Sequence, residues 1–340
     1  MKIVLVGSDK IYAIENFYAK HLAGLSVQVV HFPAQSLFYD YYKNSLKNKF
    51  FFKLGFSAIY PRINDQLLEL VEHEKPDAVW IFKGMEIFPD TLKQLRAKKI
   101  KLINYNPDNP FVFSGKGSGN KNITQSIEWY DLHFTYNREI QKRLENDFKL
   151  KTQYLPFGFE ISDELMNGLV QLPEENSVCF IGNPDRIRAK FINSLLNDGI
   201  AINLYGNHWS KFVFGPRAII HPPVYAEEQW KTLRKYRVQL NMMRIHNLDS
   251  HNMRTFEVPG VGGIMLSVNT PEQILFFEDQ KEAFFYDSES HCADLIKQII
   301  AWSPHEANAI RVAARNRSLS SGYDYQSRAR FALSEIEKIV

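Results

Sequence analysis

The chain lacks the features that would place it in several large classes. It has two cysteines in 340 residues, Cys179 and Cys292, with no metal or redox spacing. A disulfide framework is therefore excluded, and buried free thiols in a reducing compartment are the simplest account. No window approaches the roughly eighteen consecutive apolar residues of a membrane span. The first residues, MKIVLVGSDK, carry one lysine before an apolar run too short for a signal-peptide core, so they read as a first buried strand. The expected location is cytoplasmic. A net charge of +3 is too small to argue for nucleic acid. Low-complexity tracts and short repeats are absent. The glycine-rich stretch SGKGSGNKN at 114–122 is no P-loop, because its Gly-Lys is not followed by Ser or Thr at the required spacing. It reads as a loop at the edge of a cleft. No Asp-x-Asp follows a strand-like run, and His133, His208, His246 and His251 share no metal spacing, so no metal is expected to be required.

What the chain does contain is a regular alternation of short apolar runs and amphipathic stretches. Its hydrophobic content of 45% and charged content of 23% are ordinary for a globular protein, and 340 residues favour two domains. Strands are expected at 2–7, 27–32, 77–82, 101–105, 131–136 and 152–156. Helices are expected at 10–23, 35–54, 62–74, 89–98 and 138–147. After a linker at 156–176, strands recur at 177–181, 201–205, 218–221, 238–242, 264–268 and 283–286, with helices at 186–197 and 226–235 and two more at the end. Strands separated by helices imply parallel sheets covered on both faces. Two such halves in tandem would leave a cleft at the carboxyl ends of the strands. The expected division is 1–158, 159–322 and a closing helix at 323–340 packing back on the first domain.

The densest chemistry lies in DSHNMRTFEVPGVGGIML, residues 249–266. A helix beginning near His251 would put Arg254 and Glu257 on one face. There a carboxylate could accept both hydroxyls of a ribose, and a guanidinium could hold a phosphate by paired hydrogen bonds. An ordinary intrahelical ion pair on a solvated surface fits the spacing equally well. Two other loops follow strands in the same half. In FIGNPDRIRAKF, Gly182 and Asn183 precede a helix opened by Arg186 and Arg188, an arrangement that suits a phosphate or simply turns the chain. In LYGNHW, Tyr205, Gly206 and Asn207 could meet a base or sugar, or form a plain turn. In the first half, Asp108 of NPDNPF follows a strand. It is the first candidate for a general base, with Glu86 and Asp9 behind it, although Asn, Pro and Asp are also standard turn formers. The stretch YYKNSLKNKFFFKLGF at 41–56 mixes lysines with aromatics. It could rest on an anionic membrane or pack its rings inward as an acceptor-side helix.

These residues resemble the carboxyl-terminal domain of GT-B glycosyltransferases, and within them the CgeB-like (spore maturation protein) group. The resemblance rests on Phe180-Ile181-Gly182 with Arg186 and Arg188, on Tyr205-Gly206, on Leu240-Asn241, and on Arg254-x-Phe256-Glu257 followed by Gly260 and Gly262-Gly263. Tyr325 and Arg328, within 323–330, look like the family's closing helix. It covers roughly 177–330; the first half matches more loosely. It implies an α/β GT-B fold, two Rossmann-like domains whose parallel sheets face a central cleft. It implies a nucleoside diphosphate sugar as donor in the second domain, with no further cofactor, and an acceptor that is a carbohydrate, a protein or lipid-linked. Glu257 would hold the ribose, and Arg254 or Arg188 the diphosphate. Gly182, Asn183, Arg186, Tyr205, Gly206, Asn207, His251 and Asn252 would complete the donor site. Retaining relatives carry two glutamates at the spacing of Asp249 and Glu257, so Asp249, one methylene shorter, stands where the first would touch the sugar. Asp108, Asp249 and Arg254 are the expected catalytic residues. A second departure is Val258-Pro259-Gly260 in place of an alanine-rich stretch, which would move the helix start later. A nucleotide-sugar epimerase and a non-catalytic nucleotide-sugar-binding protein share the same two-domain plan.

Overall fold

The structure, a computed structural model, describes residues 1–113, 117–244 and 249–340. Ser114, Gly115 and Lys116 of the glycine-rich stretch, and His246, lie outside the described residues. The chain divides into two compact units. Unit 1 is Met1–Pro156 with Tyr325–Val340, and unit 2 is Phe157–Asp324.

Unit 1 is built on six parallel strands: β1 (Lys2–Val6), β2 (Gln28–Phe32), β3 (Ala78–Phe82), β4 (Lys101–Asn106), β5 (Leu132–Thr135) and β6 (Thr152–Tyr154). They lie in the order β2-β1-β3-β4-β5-β6. Leu5 pairs with Trp80, Trp80 with Ile103 and Ile103 with Leu132. Every residue of β3, AVWIF, is buried, as a strand covered on both faces requires. One side packs on Ile63, Leu67, Leu92 and Leu95 from helices Ile59–Glu74 and Pro89–Ala97. On the other, helix Tyr325–Glu337 meets helix Ile14–Gly24, with the Tyr325 ring 5.0 Å from Phe17 and 5.5 Å from Tyr18.

Unit 2 carries β7 (Glu175–Ile181), β8 (Ile202–Tyr205), β9 (Ala218–His221), β10 (Tyr236–Asn241), β11 (Met265–Val268) and β12 (Phe284–Tyr286). The order is β12-β11-β10-β7-β8-β9, again all parallel. That is the doubly wound Rossmann order, in which the sequence runs outward from β7 to β9 and then restarts at β10 on the other side. The fold class expected from the alternation is therefore present in both units.

Several boundaries differ from the expectation, each for a local reason. The single helix expected at 35–54 is two, Ala34–Asn44 and Leu46–Lys53. Ser45 is extended between them, and its hydroxyl accepts the Asn48 amide at 3.0 Å as a cap. The linker stretch holds a helix, Asp163–Val170, capped by Ser162. Three helices close the chain rather than two, because Ser303 and Glu306 form a capping box and Pro304 starts a new helix at its first turn. The helix of the densest motif begins at Arg254, not His251, and runs to Gly260 with Pro259 in its last turn.

Candidate functional site

In a doubly wound sheet the ligand crevice lies beyond the carboxyl ends of the strands where the order reverses. In unit 2 those strands are β7 and β10, followed by Gly182-Asn183 and by Met242. The buried Arg188 spans the two: Nη2 donates to the Met242 carbonyl at 2.6 Å and Nη1 to the Asn183 carbonyl at 3.3 Å. Burial, and then the charge of Arg244, draws its guanidinium down to about 10, so it remains cationic at neutral pH.

Helix Arg254–Gly260 is delivered to the same edge by a buried polar network. The Asn252 side chain donates to Asn241 Oδ1 at 2.8 Å and accepts the Thr255 amide at 3.2 Å, tying the helix start to the end of β10. Thr255 Oγ1 and Ser267 Oγ both donate to Gln273 Oε1, at 2.9 and 3.0 Å, and Gln273 donates to the Val268 carbonyl at 2.8 Å. Asn252 is half-buried and Asn241, Thr255, Ser267 and Gln273 are buried, and all are bonded, so the network specifies one position for the helix. Arg254 then pairs with Glu257 through Nη1 and with Gln229 Oε1 through Nη2, the latter at 3.2 Å. Burial lowers Arg254 to about 10, and its charge and that of Arg188 oppose one another. Glu257 is 4% exposed, and a carboxylate has acceptor capacity beyond the one bond Arg254 supplies.

The two glycine loops are tied edge to edge. Gly182 donates to the Tyr205 carbonyl at 2.8 Å, and the Asn207 amide donates to Asn183 Oδ1 at 2.8 Å. A Cβ on Gly206 would lie 2.4 Å from the Gly182 carbonyl oxygen, so only glycine lets these loops approach so closely. Two of the amides that open helix Arg186–Asn197 are already bonded within the chain. Asp185 Oδ1 accepts from Ile187 and Arg188, both at 3.0 Å, so the helix start already holds a carboxylate. Arg186 and Asn183 are exposed.

Other expected donor-site residues sit deeper. Tyr205 is buried, with its hydroxyl 2.7 Å from that of Tyr236 and its ring stacked 4.3 Å from His221. His251 is wholly buried, with Nδ1 2.8 Å from Glu272 and its ring edge-on to Phe157, Phe256 and Phe276. It braces the motif from within the core. Asp249 is exposed. Sequence reasoning missed Asp185, Gln229, Thr255, Ser267 and Gln273. Only Asp185 carried a signal, as an Asp directly before a helix.

Unit 1 gathers a different set at its own order reversal, between β1 and β3. Asp108, after β4, is ion-paired to Lys83 at 2.6 Å, and Lys83 also donates to the Gly117 carbonyl at 2.5 Å. Glu15 and Glu86 are each 5% exposed. Burial raises both to about 7, opposed by backbone hydrogen bonds and by Lys83. Glu15 Oε1 accepts the Ser8 amide at 3.1 Å. Asp9 accepts from Ser36.

Residues 186–334 match the family described as "Glycosyl transferase-like", and the fold is that of GT-B glycosyltransferases. Sucrose-phosphate synthase from Thermosynechococcus elongatus is similar over 100% of this chain and 99% of its own, with TM-score 0.70 and 11% identity. Anabaena HepE, solved in complex with UDP, is similar over 99% of this chain and 100% of its own, with TM-score 0.64 and 11% identity. A protein assigned as a UDP-N-acetylglucosamine 2-epimerase from Listeria monocytogenes is similar over 99% of this chain and 95% of its own, with TM-score 0.60 and 12% identity. No curated protein matches the sequence. The matched domain and the fold together support nucleotide-sugar glycosyl transfer.

Proposed function

We propose that the chain is a metal-independent glycosyltransferase of the CgeB-like group that moves a sugar from a nucleoside diphosphate to an acceptor hydroxyl. The observation that carries this reading is the set of charges at the β7/β10 reversal, the paired Arg254 and Glu257 with the buried Arg188 near enough for its charge to oppose that of Arg254. Two cations beside one carboxylate suit a diphosphate joined to a ribose. In this reading Glu257 accepts from the ribose hydroxyls, and Arg254 and Arg188 neutralise the departing diphosphate. Asp249 meets the donor sugar. Asp108, held by Lys83, takes the proton of the acceptor hydroxyl in an inverting transfer. Gly182, Asn183, Arg186, Gly206 and Asn207 line the nucleotide. Tyr205, Asn252 and His251 hold that lining in place. The acceptor is a carbohydrate, a protein or a lipid-linked molecule, and the reaction takes place in the cytoplasm.

Calorimetry with UDP, GDP and dTDP tests the donor assignment. One of the three is expected to bind without added metal and equally well in EDTA; binding by none would overturn it. An epimerase on the same fold is separated by the product. Proton exchange at the sugar ring without transfer, from a bound nucleotide sugar, would favour epimerisation.

A further inference from the structure

We propose that the helical hairpin formed by Ala34–Asn44 and Leu46–Lys53, with the turn up to Phe56, docks the protein onto an anionic lipid bilayer. The hairpin has two unlike faces. Its inner face joins the core of unit 1: Phe38 lies 4.9 Å from Phe52 and 5.4 Å from Tyr60, and Tyr42 lies 5.7 Å from Phe52. Its outer face is left bare. No residue of helix Leu46–Lys53 is buried, although its sequence, LKNKFFFK, holds a leucine and three phenylalanines. Leu46 is 81% exposed, Phe50 59% and Phe56 77%, with Phe51 and Leu54 beside them. A globular surface rarely leaves so many large apolar groups together without an occupant.

Charge identifies the occupant. Between Tyr41 and Asn64 the chain has Lys43, Lys47, Lys49, Lys53 and Arg62 and no acidic residue. Among the described residues none of the four lysines pairs with a carboxylate. Lys43 and Lys49 instead lie over the rings of Tyr39 and Tyr42, at 5.5 and 5.9 Å. Aromatic and leucine side chains at the headgroup boundary, with lysines reaching out to lipid phosphates, match an anionic interface. A second copy of the same face would bring like charges together, which opposes self-association. The hairpin follows β2 directly, so it stands at the carboxyl edge of the unit 1 sheet, the edge that bears Asp108.

Vesicle binding is read without turnover, so this inference does not depend on the proposed transfer reaction. The full chain is to be sedimented with phosphatidylcholine vesicles and with mixed phosphatidylcholine–phosphatidylglycerol vesicles. Binding to the mixed vesicles is expected to be at least about tenfold tighter, given about fivefold per lysine near an anionic surface. Lys47→Glu/Lys53→Glu is expected to remove that preference. Leu46→Ser/Phe50→Ser/Phe56→Ser, all at exposed positions, should lower binding to both vesicle types while leaving the thermal melt unchanged. No sedimentation with the mixed vesicles, or binding unaffected by both variants, would overturn the proposal. So would oligomers of the parent chain that the apolar variant abolishes while vesicle binding persists.

Discussion

The two units share an architecture and differ in what they place at the point where strand order reverses. Unit 2 gathers guanidinium groups there, Arg188 beside Asp185 and Arg254 paired with Glu257. Unit 1 gathers carboxyl groups, Glu15, Glu86 and Asp108, with Lys83 ion-paired to Asp108. The same backbone solution thus offers cationic hydrogen-bond donors in one unit and proton-accepting groups in the other. Glycosyl transfer calls for both kinds of chemistry, a grip on a dianionic leaving group and a means of taking a proton from a hydroxyl.

The largest expected break in this contrast is Asp108→Asn. It should lower kcat by about a hundred- to ten-thousandfold, the usual range for a general base, while nucleotide affinity in calorimetry stays unchanged. A retained kcat would remove Asp108 from the chemistry and favour a front-face route that needs no base.

The buried carboxyls of unit 1 should appear next, as a pH dependence of stability. Glu15 and Glu86 are raised to about 7 in the folded protein, against 4.5 for the exposed group. Above the ordinary value the unfolded chain releases these protons first, so folding loses ground as pH rises. The stability they contribute is full below about pH 4.5, declines through the window to about 7 and is flat above it, a change on the order of 3 kcal/mol for each group. Glu15→Gln/Glu86→Gln should flatten denaturant midpoints across that window. An unchanged slope would mean the two groups are not the source.

A smaller effect is expected at Glu257. Glu257→Gln should weaken binding of the cognate nucleoside diphosphate by about tenfold to a hundredfold, the value of charge-assisted bonds to a ribose. Its 2′-deoxy analogue should bind parent and variant with similar, weak affinity. Equal losses for both nucleotides would place Glu257 away from the sugar hydroxyls. The smallest effect is at Asp185. Asp185→Ala should cost about 1 kcal/mol of stability as a lost helix cap, measured by thermal melt. It also frees the Ile187 and Arg188 amides, so nucleoside diphosphate affinity should hold or rise; a fall would show that the diphosphate does not approach that helix start.

Much of the fold was legible because the strands are continuous apolar runs. AVWIF at β3 and VCFI within β7 can hardly lie elsewhere than inside a covered sheet. Breaks made by a single capping hydroxyl were harder to see. Ser45 splits a stretch that is helical in pattern on both sides, and Ser162 starts a helix in a segment otherwise marked as a linker by Gly168 and Pro173. At the site, the spacing of Arg254 and Glu257 revealed their pairing. The support beneath them was not visible, because Asn241, Thr255, Ser267 and Gln273 come from four separate stretches and meet only after folding. His251 shows the same limit from the other direction. Its neighbours in sequence suggested a ligand contact, yet Phe256 of the same motif and Phe157 and Phe276 from elsewhere in the chain enclose it.

Unit 2 begins and ends side by side. Phe159 donates its amide to the Tyr323 carbonyl at 3.1 Å and forms a bridge with Asp324. The closing helix, although it follows unit 2 in the chain, belongs to unit 1. In gene-fusion terms, unit 2 is therefore a cassette spliced into unit 1 rather than the second half of a tandem. A fragment of 157–324 should express as a self-contained nucleotide binder, whereas trimming the chain from Tyr325 onward should uncover Tyr18 and unsettle the unit farther away in sequence.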